Sequence, residues 1–123
     1  MKYSDNQEPI YDYNISDDRL DDDVIAVAAA RAVLNTDGVA ELSGGIGDSI
    51  SKTILRKETL SKGIKIDQSD EGIRLDVYIM VYFGVRIPEM AWNIQKNVKE
   101  KIQEMTERKV TAVNIHVQGI QEK

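Results

Sequence analysis

The residues closest to a known chemical motif are four consecutive positions of a glycine-rich stretch, Gly44, Gly45, Ile46 and Gly47. A G-x-x-G sequence clamps the nucleic-acid backbone in KH-type RNA-binding domains. Here the two middle residues are uncharged and Asp48 follows, so the pattern has low specificity. Neither the lysine of a phosphate-binding loop nor the G-x-G-x-x-G of a dinucleotide site is present. We interpret the stretch as a turn or flexible connection, with nucleic-acid contact by these residues as the alternative.

Histidine and cysteine, which are widely used in nucleophilic and metal chemistry, are almost absent. The chain has a single histidine, His116, and no cysteine. Thiolate catalysis, disulfides and sulfur-ligated metals are therefore excluded, and the composition fits a reducing compartment. Because no second histidine accompanies His116, we interpret it as a surface or interface residue.

Carboxylates are common, but their positions do not suggest a catalytic pair. They fall in the N-terminal segment or on the polar side of a predicted helix, as with Glu100 and Glu104. Asp21 to Asp23 precede another predicted helix, where negative charge meets the unpaired amides of the first turn. A calcium site is the alternative, although the spacing of an EF-hand loop is absent. We predict no enzymatic activity, no cofactor and no metal site.

The elements that position these residues are clearest in the second half of the chain. Apolar and polar side chains alternate from Gly72 to Phe83, which predicts a long strand with one apolar face. An apolar stripe with a period of 3.6 residues follows from Ile87 to Met105 and predicts a helix of about five turns. Period two returns between Val110 and Val117, so this block predicts a strand, a helix and a strand.

Shorter patterns complete a two-layer domain. They predict an Ala-rich helix from Val24 to Asn35, a short strand after Gly38, and a strand from Lys62 to Asp67 that forms a hairpin with the long strand. Residues 43–61 are compatible with one or two helical turns or with a flap. We predict an α+β two-layer sandwich, in which a small mixed sheet of three to four strands carries both helices on one face. The order of the strands does not follow from these patterns.

Composition limits the domain count and the partners. With 123 residues, of which 41% are hydrophobic and 30% charged, the chain can bury one core. It has no apolar run near about 18 residues and no signal-peptide pattern, so we do not expect it to span or cross a membrane. Its net charge of -5 argues against direct binding to nucleic acid or to anionic lipid.

The motifs and their order are similar to those of the alkaline shock protein family of Gram-positive bacteria, also called envelope stress response proteins. The pattern includes the Gly38-Val39 dipeptide after the first helix, the KGIKI strand at 62–66 and the YFG at 82–84. Two longer signatures follow: I-x-E-x-A-x-x-I-Q, at Ile87, Glu89, Ala91, Ile94 and Gln95, and V-x-x-V-N-I-x-V-x-G-I, at Val110, Val113, Asn114, Ile115, Val117, Gly119 and Ile120. The resemblance covers residues 24–120.

This resemblance implies a non-enzymatic protein that gathers at the cytoplasmic face of the membrane through a membrane-anchored partner and acts in cell-envelope homeostasis or stress. We expect a cytoplasmic adaptor or scaffold that forms homo-oligomers, with an acidic mobile tail (residues 1–18), a single domain (19–120) and a C-terminal tail (121–123). One alternative is a small RNA-binding or ribonucleoprotein-associated domain. Another is an enzyme or ligand carrier that uses the glycine-rich loop.

One face of the predicted sheet has the composition of a protein contact. If the apolar residues of the long strand pack on the helices, Tyr78, Met80 and Tyr82 point the other way, beside His116. Tyrosine and methionine are enriched in interfaces, and a self-complementary face supports an isologous dimer. Cross-strand tyrosine pairing on a solvated sheet is the alternative. We predict an interaction face at these four residues. Trp92 lies outside the apolar stripe of its predicted helix, so it either caps the edge of the core or lies at a contact.

Overall fold

The computed structural model describes residues 20–44 and 62–123. Two helices occur in these ranges, α1 (Asp22–Leu34) and α2 (Ile87–Thr106). The four strands are β1 (Val39–Leu42), β2 (Ile64–Ser69), β3 (Gly72–Tyr82) and β4 (Val110–Gln121). The predicted order of these elements is confirmed, and their bounds differ from the sequence patterns by a few residues.

β3 is the central strand of the sheet. On one side it pairs antiparallel with β2 along its first half and with β1 along its last residues, so β1 and β2 lie end to end. On the other side it pairs in parallel with β4, after the crossover through α2. The sheet is therefore mixed, as predicted. Two register shifts leave Thr111 and Gln118 as extra residues on β4.

The core lies between one face of β3 and the two helices. Five alternate residues of β3 are fully buried: Ile73, Leu75, Val77, Ile79 and Val81. The buried residues of α2 are Met90, Ile94, Val98 and Ile102, at the spacing of one helix face, and those of α1 are Ile25, Ala26, Ala29, Ala30 and Val33. The small side chains of α1 allow it to lie close to its neighbours. The predicted α+β architecture, with both helices on one face of the sheet, is confirmed.

A polar contact fixes the two helices against each other. Thr36, just after α1, is 5% exposed. Its hydroxyl donates to the Ala32 carbonyl at 2.9 Å and accepts from the Asn97 amide of α2 at 3.1 Å. Because the buried hydroxyl both donates and accepts, these bonds offset its desolvation cost. The contact ties the end of α1 to the middle of α2.

The acidic residues at the start of α1 occupy the positions predicted for them. Asp21 is the N-cap residue, and Asp22 and Asp23 lie in the first turn, at the positive end of the helix dipole. Asp22 also accepts a hydrogen bond from Gln68 of β2 at 2.8 Å. In residues 20–44 and 62–123 there is no group of three or more His, Cys, Asp or Glu that could hold a metal ion. Within the same ranges, neither helix combines the length and the apolar composition needed to cross a bilayer.

Candidate interaction surface

The face of the sheet opposite the helices, which we call the open face, is formed by alternate side chains of all four strands. The strand register places Tyr78 beside His116 and Met80 beside Gly119. The members of the open face are Glu41, Lys65, Asp67, Arg74, Asp76, Tyr78, Met80, Tyr82, Asn114, His116, Gly119 and Gln121. The structure thus brings the four predicted residues together on two adjacent strands, and protein binding at this face stays a prediction.

A stacked pair occupies the centre of the open face. The rings of Tyr78 and His116 lie 4.3 Å apart between centroids, with 10° between their planes. His116 Nε2, when it carries the proton, donates to Asp76 Oδ1 at 3.0 Å, and Asn114 donates to the same oxygen at 3.2 Å. The Lys65 ammonium lies 5.6 Å from the centroid of the tyrosine ring. The imidazole is therefore held both by stacking and by a hydrogen bond.

The pKa of Asp76 is displaced by its contacts on the open face. The hydrogen bond from His116 is the largest cause and lowers the pKa of the carboxyl below its ordinary value of 3.8. Partial burial opposes this effect, and the hydrogen bond from Asn114 adds to it. Hydrogen bonds from neighbouring side chains of the open face are therefore sufficient to explain the lowered pKa.

Replacing Asp76 by Asn should remove a pH-dependent part of the stability. Because the folded-state pKa lies below the unfolded one, the ionised carboxylate stabilises the fold above the ordinary value of 3.8, and this contribution is lost as the pH falls through the lowered pKa. Urea unfolding should show the variant less stable than wild type near neutral pH, with the difference shrinking in acid. Repeating the pair in a His116→Ala background should reduce the difference, since its largest cause is gone. A difference that is the same at every pH would contradict this assignment.

The outer part of the open face is also held by contacts within the chain. A Cβ at Gly119 would lie 2.7 Å from Met80 Cε, so the methionine rests directly on the glycine. The Lys123 ammonium lies 5.5 Å from the ring centroid of Tyr82. The three predicted contact residues of β3 remain partly exposed. Gly119 lies beside Met80 because of the register shift at Gln118. No local pattern in the sequence reveals this shift.

Charges on the open face are mixed in sign. Asp67 and Arg74 form a salt bridge of 3.1 Å between half-exposed side chains, and such a bridge contributes little to stability. Lys65 lies opposite Asp76 in the strand register, and Glu41 accepts a hydrogen bond from Gln121. A surface of this kind lacks the clustered positive charge that attracts a polyanion.

The remaining sequence candidates differ in outcome. Of the glycine-rich loop, Gly44 is described, whereas Gly45, Ile46 and Gly47 lie outside the described residues, so nucleic-acid contact there stays a prediction. Trp92 is 59% exposed. It therefore does not cap the edge of the core, and the alternative of a contact position fits its exposure.

A groove runs between α1 and α2. It has a volume of about 720 Å³ and is lined mainly by apolar residues such as Val24, Ala28 and Met105. Arg31 and Lys101 are the charged residues that line it. Two asparagines, Asn35 and Asn97, complete the polar part of its lining.

Comparison with known proteins gives a match over most of the chain. A sequence model of the Asp23 family, a name that does not refer to residue 23, matches residues 13–122, and the family is described as having a cell envelope-related function. The chain is 39% identical over 99 residues to the uncharacterized protein YqhY of Bacillus subtilis, covering 80% of this chain and 73% of YqhY. It is 36% identical over 103 residues to YloU of the same organism, covering 82% of this chain and 85% of YloU.

More distant similarities are also found. A stress response regulator gls24 homolog of Streptococcus pyogenes is 25% identical over 103 residues, which cover 84% of this chain and 58% of that protein. Among solved structures, a variant of the MamM CTD aligns with a TM-score of 0.45 and 14% identity over 78% of this chain and 92% of that chain. The structural likeness is too weak to carry an argument.

Proposed function

This chain belongs to the Asp23 family of envelope-related alkaline shock proteins, and from that premise we propose that it is a non-catalytic adaptor or scaffold in cell-envelope homeostasis. It acts on the cytoplasmic side of the membrane, where a membrane-anchored protein partner gathers it and where it associates with its own copies. The observation that carries the proposal is the family match, which extends over residues 13–122.

Binding explains the described residues better than catalysis does. General acid-base catalysis needs titratable groups with shifted pKa values in a cleft. Asp76, whose pKa is lowered, and the single histidine both lie on the open face and are hydrogen-bonded to each other. Among the relatives, YqhY and YloU are uncharacterized, and the gls24 homolog is a stress response regulator. The alternative function, RNA binding, gains no support from the described residues or from the net charge of -5.

The open face is the surface we propose for the anchored partner. It exposes parts of Tyr78, Met80 and Tyr82 beside His116, and these residue types are common in protein contacts. Its balanced charges suit a protein surface better than an anionic lipid bilayer. The stacked Tyr78–His116 pair is already ordered, so little side-chain entropy would be lost when a partner binds.

Replacing Tyr78 and Tyr82 together by Ser should reduce the envelope-bound fraction of the protein in its native host by about tenfold or more, because interface tyrosines commonly contribute that much affinity. The measurement is fractionation of crosslinked cells, with quantification of the chain in the membrane pellet and identification of the membrane protein linked to it. Protease treatment of the membranes before binding of purified wild-type chain should abolish the association if a protein, and not lipid, holds it.

The control is Val24→Ser with Leu34→Ser, which removes two apolar side chains from α1, outside the open face, at positions more exposed than the two tyrosines. This control should stay in the pellet with wild type. A wild-type chain found wholly in the supernatant would overturn the adaptor function. If the tyrosine variant and the control sedimented equally with the membrane, the open face would be excluded as the binding surface.

A further inference from the structure

β4 forms a border of the sheet that the described strands leave unpaired. It pairs with β3 on one side, and no strand in residues 20–44 or 62–123 pairs with its other side. Alternate residues of a strand direct their backbone groups to the same side. The Val113 carbonyl accepts from the Gln95 side chain of α2 at 3.0 Å, which places it in the outward set. Ile115 and Val117 follow in the same alternation, so their backbone groups can pair with another strand.

The composition of β4 is unusual for a strand exposed to solvent. Its sequence, VTAVNIHVQGIQ, has no Asp, Glu, Lys or Arg, although 30% of the whole chain is charged. Exposed border strands are usually protected by lysine, proline or bulges. β4 has bulges at Thr111 and Gln118, and they leave a regular uncharged run, 112–117, between them. Such a run has the composition of a strand that another strand covers.

Exposed apolar side chains collect beside this border. Of the seven large hydrophobic residues exposed in the described ranges, five lie where β3 and β4 end and α2 begins. Val117 and Ile120 of β4 are 36% and 59% exposed, and Phe83, which bonds the last residue of β4, is 77% exposed. Trp92 lies one helical turn before the glutamine that contacts β4. Exposed large apolar side chains that collect in one region are typical of a protein contact.

We propose that two copies of this chain pair antiparallel through their β4 strands, about a two-fold axis at Ile115. In this register Ile115 faces its own copy, Val113 faces Val117 of the second copy, and Asn114 faces His116 of the second copy. The two sheets become continuous, with both α2 helices on one side and both open faces on the other. The inference rests on the self-association included in the proposed function and locates it away from the open face.

The second copy fits this border for reasons of charge and area. Each copy carries a net charge of -5, so two copies approach with least repulsion along an uncharged strip. In this register apolar residues face apolar residues and Asn114 faces His116, so no like charges lie directly opposite each other. A border of 12 residues is about 40 Å long and, with the helix layer, about 20 Å thick. A contact along this whole border would bury at most about 800 Å² per copy, which reaches the area of a standard interface.

Sedimentation velocity of the purified full chain at micromolar concentrations tests the pairing. Wild type should form a dimer, and Val117→Lys should raise its dissociation constant by about 100-fold or more, because the two-fold axis places two lysines, one from each copy, in the interface. Ile120→Lys, at a more exposed position, serves if the first variant folds poorly. Val24→Lys on α1 carries the same charge change at similar exposure and should leave the dimer intact.

Disulfide trapping tests the register. The chain has no cysteine, so a mixture of Asn114→Cys and His116→Cys proteins should form a disulfide between the two variants on oxidation. Either variant alone should form little disulfide, because its two cysteines, one from each copy, are then displaced by two residues along the paired strands. Equal linking in all three samples would overturn the register.

The outcomes separate this proposal from the proposed function. A monomeric wild type, or a Val117→Lys variant that dimerises like wild type, would overturn the β4 pairing while leaving partner binding by the open face testable. If the Tyr78→Ser and Tyr82→Ser pair abolished the dimer and the lysine variant did not, self-association would belong to the open face and the β4 proposal would fail. A tyrosine variant that loses envelope binding but still forms the β4 dimer would support both the open-face binding site and the β4 pairing.

Discussion

Replacing Leu75 by Ala should destabilise the protein by about 2–5 kcal/mol, the cost of removing a buried leucine side chain and leaving a cavity. Leu75 is fully buried in the first half of β3, between Ile66 of β2 and Val113 of β4, and belongs to the core cluster. A domain of this size is stable by about 5–15 kcal/mol, so the variant would lose a large part of its margin. Urea unfolding followed by circular dichroism measures the change.

The control for this core substitution is Val24→Ala. Val24 is 45% exposed on α1, and its truncation should change the unfolding free energy by about 0.5 kcal/mol or less. The comparison separates burial from the simple loss of an aliphatic group. A cost below about 1 kcal/mol for Leu75→Ala would contradict the burial of Leu75 in the core.

Replacing Gly72 by Ala should cost about 3 kcal/mol or more, since the substitution combines backbone strain with a steric clash. Gly72 begins β3 with φ of +140°, a conformation that side chains disfavour. A Cβ there would lie 2.5 Å from the Lys109 carbonyl oxygen and 2.9 Å from Thr111 Cγ2. Because the nearest atom belongs to the backbone just before β4, relief requires the two strands to separate.

Gly84→Ala isolates the strain from the clash. Gly84 has φ of +90°, and no atom lies within 4 Å of the position its Cβ would take. This variant should lose only about 1–2 kcal/mol, the cost of a left-handed conformation. Thermal and urea unfolding of both variants give the comparison. Equal decreases in the unfolding free energy for the two variants would show that the backbone at Lys109 moves away from a Cβ at Gly72 at little cost.

The elements with strong local periodicity could be predicted from the sequence. The alternation in β3 and the 3.6-residue stripe of α2 depend only on which side of each element is buried, and β3 and α2 follow those patterns. The order of the strands could not be predicted, because the end-to-end placement of β1 and β2 depends on contacts between residues far apart in sequence. The exposure of Trp92 was equally undetermined, since its helix position allows either a core edge or a contact.

The composition of the open face could be predicted, but its contacts could not. Period-two alternation places Tyr78, Met80 and Tyr82 on one side of β3. The stacking of Tyr78 on His116 and the seat of Met80 on Gly119 require the parallel register with β4, including its extra residue at Gln118. The unpaired border of β4 likewise becomes visible only after the sheet has been assembled.

The central position of β3 has a consequence for how the molecule opens. Among the described strands, β3 alone has neighbours on both sides, and each of the other three has β3 as its strand partner. β1 or β2 can detach while the other strand pairs remain, whereas detachment of β3 breaks all three strand pairs at once. The buried amides of β3 should therefore exchange with deuterium only through global unfolding, while those of β1 exchange through smaller openings. The slowest exchange rates would then report the stability of the whole fold from a single strand.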